Sequence, residues 1–89
     1  MPIARRAVVH GRVQGVFFRD TVRRAAAQRA VGGWAANRAD GTVEVWLEGE
    51  PDAVASMLRV LHDGPPRAEV ERVDVDEVEP QGLDGFETR

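Results

Sequence analysis

The sequence predicts an α+β domain in the order β-α-β-β-α-β, with two helices packed on one face of an antiparallel sheet. Three observations lead there. Two stretches, about 18–30 and the one opening at Pro51, repeat apolar residues at helical spacing and stop at Gly32-Gly33 and Gly64-Pro65-Pro66. The segments around them carry apolar runs, the clearest of which alternates with the period of a strand. Between two of those segments lies Asp40-Gly41, a strong hairpin turn pair because glycine tolerates positive φ.

Taken in order, Ala7-Val8-Val9-His10 is a short apolar run ending at Gly11, which predicts a strand over 5–12. A glycine-spaced loop follows, Arg12-Val13-Gln14-Gly15-Val16-Phe17. The first helix then presents Phe18, Val22, Ala25 and Ala26 as its inner stripe. Two strands, 33–38 and 42–49, meet through Asp40-Gly41; Val43, Val45 and Leu47 face one way, Thr42, Glu44, Trp46 and Glu48 the other. Pro51 suits the first turn of the second helix, whose Val54, Met57, Leu58 and Leu61 fall at i, i+3, i+4 and i+7. Val70, Val73, Val75 and Val78 mark a last long strand, and their slip of phase at Glu71-Arg72 predicts a bulge. The tail from Phe86 to Arg89 is expected to add a short edge strand.

This is the ferredoxin-like arrangement. In the split unit the first two strands run parallel with the third between them. The loop after strand 1 and the end of strand 2 therefore lie at the same end of the sheet, and topology alone brings the glycine-spaced loop close to Asn37.

Composition narrows the chemistry. With 89 residues there is room for one core, and residues 1–89 are expected to form a single domain. Cysteine is absent, which removes disulfides, thiolate nucleophiles and sulfur metal ligands. All twelve basic residues are arginine, so no mechanism can use a lysine Schiff base or a phosphate-loop lysine. No apolar run is long enough to span a bilayer and no signal-peptide pattern is visible; a cytoplasmic protein, monomeric and away from membranes, is expected. The net charge of −3 divides unevenly: residues 1–40 hold eight Arg and two Asp, residues 41–89 four Arg and thirteen acids. An anion site belongs in the first half.

Gly11 to Arg19 joins a strand to a helix N-terminus, where unpaired N–H groups and the positive end of the helix dipole favour anions. Gly15 permits close backbone approach, and Arg19 offers a planar fork to two phosphate oxygens. Taken alone, the segment reads more readily as an ordinary strand-to-helix loop carrying a solvated arginine.

A longer pattern decides. Gly11-Arg12-Val13-Gln14-Gly15-Val16-Phe17-Phe18-Arg19 resembles the acylphosphatase signature Gly-x-Val-Gln-Gly-Val-x-Phe-Arg without a gap. Gly33-Trp34-Ala35-Ala36-Asn37-Arg38-Ala39-Asp40-Gly41-Thr42-Val43-Glu44 resembles the second block of that family, Gly-Trp-x-x-Asn-x-x-Asp-Gly-x-Val-Glu. The likeness continues through Gly49 and the Gly64-Pro65-Pro66 turn into the valine-rich strand.

The resemblance implies a hydrolase that cleaves the carboxyl–phosphate bond of small acyl phosphates with neither metal nor cofactor. It implies that the main-chain amides of Gln14, Gly15, Val16, Phe17, Phe18 and Arg19 cradle the phosphate, that Arg19 holds its oxygens and that Asn37 orients the attacking water. Ala30 departs from the family's helix-ending glycine, and Ala35 and Ala36 from bulkier residues.

The other polar and aromatic residues receive ordinary readings. Trp34 and Trp46 are expected to pack in the core or on the sheet, His62 to complement a helix C-terminus, and Arg23, Arg24 and Arg29 to form a solvated helix face, with Arg23 available to steer anions. His10 is open between packing and tuning the phosphate site. The histidines and acids have no metal-ligand spacing.

Competing functions for this architecture fit less well. An RNA-recognition domain needs paired aromatics on strands 1 and 3, yet strand 1 has none, and the acidic second half opposes nucleic acid. A metal chaperone would need Cys-x-x-Cys. An accessory acylphosphatase domain of a larger carbamoyl-transfer protein is the remaining alternative.

Overall fold

Alternation along the strands decides which side of the sheet is covered. Strand β1 (Ile3–Arg12) turns Ala7 and Val9 to the helices, opposite Val45 and Val43 of β3 (Val43–Gly49), and β2 (Gly32–Asn37) adds Ala35 to the same face. Helix α1 (Phe18–Gln28) buries Phe18, Val22 and Ala26 there, and α2 (Pro51–Asp63) buries Val54, Met57 and Leu61. These side chains form one continuous apolar cluster, with Ala25 and Leu58 at its margin.

In the computed structural model, which covers residues 1–89, the strand order is β4-β1-β3-β2-β5. Strand β4 (Glu69–Val78) pairs antiparallel with β1, and the register shifts at His10/Gly11, where Glu71 is the extra residue of the predicted bulge. Because β3 lies antiparallel to both β1 and β2, those two run parallel, as the split unit requires.

The sheet is not wholly antiparallel, however. The short β5 (Phe86–Thr88) pairs parallel with β2. After β4 the chain crosses the end of the sheet through 79–85 and turns back along the far edge, which reverses its direction relative to β4. Glu48 explains why the crossing holds. This side chain, 5% exposed, accepts the main-chain N–H groups of Gln81, Gly82 and Leu83 at 2.5, 3.0 and 3.1 Å, and the Trp46 Nε1–H at 2.9 Å. Gly32 completes the seat, since a Cβ there would collide with the Leu83 carbonyl. No feature of the acidic tail sequence marks this crossing; its anchor is a lone Glu that reads as a polar strand residue.

Trp34 and Trp46 stack on the open face with ring centroids 6.4 Å apart, the sheet-face packing expected of them. Arg29 departs from the solvated-face expectation. Its Nε donates to Ser56 Oγ at 2.8 Å and its Nη1 to the Ala25 carbonyl at 3.0 Å, so it ties the end of α1 to α2. Arg23 and Arg24 instead pair with Asp20 on their own helix. No helix is long and apolar enough to cross a membrane.

Helix α1 ends in a Schellman turn: Val31 N–H donates to the Ala26 carbonyl at 3.0 Å and Ala30 N–H to that of Ala27 at 3.5 Å. This places Ala30 at φ 54°, where its Cβ is strained. Ala30→Gly should therefore stabilise the fold by about 0.5–1 kcal/mol, net of the added unfolded-state entropy, as read by urea denaturation.

Burial raises the Glu48 carboxyl, but the hydrogen bonds from Gln81, Trp46, Leu83 and Gly82 outweigh it and hold the group below its ordinary value of about 4.5. With the folded value depressed, its contribution is fully present above the unfolded value and disappears as pH falls through the folded one. Thermal melts between pH 7 and 2 should show an acid-side loss in the wild type that is smaller in Glu48→Gln; equal losses would remove Glu48 from the cause.

Candidate active site

The loop between β1 and α1 carries a run of unused donors. The main-chain N–H groups of Gln14, Gly15, Val16, Phe17, Phe18 and Arg19 donate to no protein acceptor; the first donor at this helix end to find one is Thr21, to the Phe17 carbonyl at 3.0 Å. Six unpaired amides in sequence at a helix N-terminus are donors of the kind that suit an anion. Gly15 adopts φ 73° with open space where a Cβ would stand, so backbone conformation rather than crowding selects glycine. Phe17, the N-cap, is also left-handed at φ 64° and ψ 25°, and it makes no side-chain cap.

A cavity of about 300 Å³ opens over this loop, lined among others by Gly15, Phe17, Phe18, Arg19, Asn37 and Thr88. The topology has done what the sequence required: Arg19 from the first turn of α1 and Asn37 from the end of β2 face one space. The side chain of Asn37 is exposed and hydrogen-bonds to no protein group, so both its donor and its acceptor are available. Arg19 Nη1 donates to the main-chain oxygen of Arg89 at 2.7 Å, which leaves Nε and Nη2, the opposite edge of the fork, without a protein partner.

Gln14 and Val16 do not line the cavity with their side chains. Val16 is buried in the core and brings only its amide. Gln14 turns the other way: its Nε2 donates to the carbonyl oxygens of Arg38 at 2.8 Å and Thr42 at 2.9 Å. It thereby ties the loop to the β2–β3 hairpin that carries Asn37. That hairpin is locked in turn by Asp40 Oδ1, which accepts Thr42 Oγ1–H at 2.6 Å and Thr42 N–H at 3.0 Å. These two bonds from Thr42 hold the Asp40 carboxyl below its ordinary value.

Asp20 borders the cavity, and an acid there would repel an anion. The hydrogen bond from Arg23 leads the causes that lower its pKa, with Arg24 adding to it, so its charge is compensated within the helix. His10 lies elsewhere: its Nε2 is 3.0 Å from Asp74 Oδ2 and 3.3 Å from Arg72 Nη2, toward β4. It packs against the edge strand and is not in the cavity. No cluster of His, Asp and Glu has the geometry to hold a metal ion.

Sequence reasoning missed Thr88, the Arg89 contact and the side-chain role of Gln14. The first two depend on where β5 returns to the sheet, and no local pattern reveals that. The third had a signal, an amide side chain inside a loop otherwise built of small and apolar residues.

Several known proteins resemble this chain over nearly its whole length. A family model described as Acylphosphatase matches residues 5–88. An acylphosphatase of Rubrobacter xylanophilus is 52% identical over 86 residues, which span 94% of this chain and 77% of that protein. The crystal structure of acylphosphatase from Bacillus subtilis superposes with a TM-score of 0.95 at 36% identity, covering 98% of each chain. Full-length HypF in its phosphate- and nucleotide-bound form matches over all of this chain but 12% of its own length, with a TM-score of 0.92 and 28% identity.

Gln14→Glu should be more damaging than Gln14→Ala, because a carboxylate would face the Arg38 and Thr42 carbonyls with acceptor against acceptor. A loss of about 1–3 kcal/mol is expected for the Glu variant, measured by urea denaturation above pH 6. Recovery of the Glu variant near pH 3, where its carboxyl can donate, would identify the repulsion as the cause.

Proposed function

We propose a division of catalytic labour for this chain, which belongs to the acylphosphatase family and hydrolyses the carboxyl–phosphate bond of acyl phosphates. The observation that carries it is the run of six unpaired amides from Gln14 to Arg19 beneath a cavity shared by Arg19 and Asn37.

The substrate phosphate sits in the amide cradle, where the N–H groups and the helix dipole face its oxygens. Arg19 grips two of those oxygens with Nε and Nη2, while its Nη1 contact to Arg89 fixes the plane of the fork. Asn37 accepts from and donates to a water, and holds it opposite the leaving carboxylate. The water oxygen then bonds to phosphorus as the phosphorus–oxygen bond to the acyl group breaks. The acyl oxygen leaves with the electron pair as carboxylate, and the water proton passes to a phosphate oxygen, giving dihydrogen phosphate.

This sparse equipment suits the substrate. An acyl phosphate is an activated mixed anhydride with a good leaving group, so positioning and stabilisation of phosphoryl charge supply the acceleration. The one carboxylate bordering the cavity, Asp20, is held by Arg23 and Arg24, and the reaction requires no general base.

Arg19→Ala should lower kcat/KM by at least ~10²-fold, the scale of one preorganised donor, and Arg19→Lys should recover little because an ammonium lacks the fork. Near-full activity in the Lys variant would reduce Arg19 to a generic charge. Asn37→Ala should lower kcat by roughly 10²-fold while inorganic phosphate still binds, measured by NMR titration on the same sample. Unchanged kcat would end the water-positioning role.

A further inference from the structure

Phe17 is the one aromatic side chain the protein leaves in solvent, at 73% exposure. It stands at a left-handed position where glycine would be free of strain, and it caps the helix with no side-chain hydrogen bond. A bulky ring is therefore kept where it helps neither the core, nor the cap, nor the backbone. Strained residues of this kind persist where the surroundings use them.

Its surroundings supply the use. Phe17 lines the phosphate cavity and also a second cavity of about 470 Å³, whose other walls include Val16, Pro65, Pro66 and Arg67. Phe17 is thus common to the walls of both. Asp20 and Arg24, which also reach the second cavity, compensate each other, and Arg67 is in no ion pair and stands at its exposed rim. The lining thus combines Val16, Phe17, Pro65 and Pro66 with Thr21 and these charged side chains, next to the cradle yet outside it.

We propose that Phe17 and the Pro65-Pro66 turn form an acyl subsite that selects aromatic acyl phosphates over short ones. The inference rests on the phosphate cradle described above: with phosphorus held over the Gln14–Arg19 amides, a two-carbon acyl group ends inside the first cavity. A benzoyl-sized group extends past the cradle, lies against the exposed face of Phe17 and covers apolar surface that is otherwise wet. Offset stacking on the ring also orients the scissile bond, so the subsite acts on kcat/KM and not on phosphate affinity alone.

The test is the ratio of kcat/KM for benzoyl phosphate to that for acetyl phosphate, in the wild type, Phe17→Gly, Phe17→Ala and Pro66→Asp. Any disturbance of the loop by substitution at position 17 is common to both substrates and cancels in the ratio. Phe17→Gly relieves the backbone strain while removing the ring, so it guards against a variant that fails to fold. The ratio is expected to fall about tenfold in both Phe17 variants and severalfold in Pro66→Asp, the scale of losing one apolar contact surface. Phe17→Leu, which keeps an apolar side chain without a stacking face, should fall between. A wild type inert to both substrates overturns the reaction assignment and the subsite with it. An active wild type whose ratio survives in Phe17→Gly and Phe17→Ala overturns the subsite alone.

Discussion

Gln14 Nε2 sits between two carbonyl oxygens, those of Arg38 and Thr42, and this pair of hydrogen bonds sets the separation of the two halves of the site. On one side is the amide loop, whose conformation follows from Gly15 and the left-handed Phe17. On the other is the hairpin that ends at Asn37 and is closed by Asp40 on Thr42. The strands deliver both to the same end of the sheet, because β3 lies antiparallel between β1 and β2. Strand pairing alone leaves the loop free to swing relative to the hairpin. The Gln14 bridge ties the two together with one side chain, which in the proposed mechanism sets the distance between a water on Asn37 and an anion on the loop.

The charge distribution serves the same end. The arginine-rich first half supplies Arg12 and Arg38, each exposed and in no ion pair, on the two segments that meet at the site. Positive charge on those segments favours the approach of an anion, an effect that salt screens. Five of the thirteen acids of the second half lie along the edge strand β4, where Asp74 meets His10 and Asp76 meets Arg6. A net charge of −3 therefore coexists with a basic approach to the loop.

Most of the fold was legible because it is written in local periodicity. Val43, Val45 and Leu47 alternate as a strand must, Val54, Met57 and Leu61 repeat as a helix must, and the Glu71 bulge showed as a slip of phase. The candidate site was legible for a different reason: the family resemblance singles out Arg19 and Asn37, and the split topology explains why residues so distant in sequence are neighbours. What stayed hidden depends on contacts between segments with no pattern of their own. Parallel pairing of β5 follows from the seat that Glu48 makes for residues 81–83, and one glutamate in an alternating strand carries no sign of that duty. Arg29 shows the same limit, since its partner Ser56 lies on the other helix.

Anion affinity by itself gives no acceleration, because the product phosphate meets the same amides as the substrate. In the proposed mechanism the rate must come from interactions that strengthen as the phosphoryl group transfers. The cradle qualifies in part: charge spreads over the equatorial oxygens, and donors already in place need no reorganisation. Asn37 qualifies more fully, since a water in line with the breaking bond contributes nothing to ground-state phosphate binding. Rigidity is then the property the site needs most, and the structure provides it from three sides. Gln14 fixes the hairpin, the helix fixes the amides, and the Arg89 main chain fixes the Arg19 fork. That last contact depends on β5, which is seated through the crossing on Glu48, at the opposite end of β3 from Val43, the partner of Asn37. A buried carboxylate remote from the chemistry thus anchors the segment whose pairing with β2 carries the Arg89 main chain to the Arg19 guanidinium.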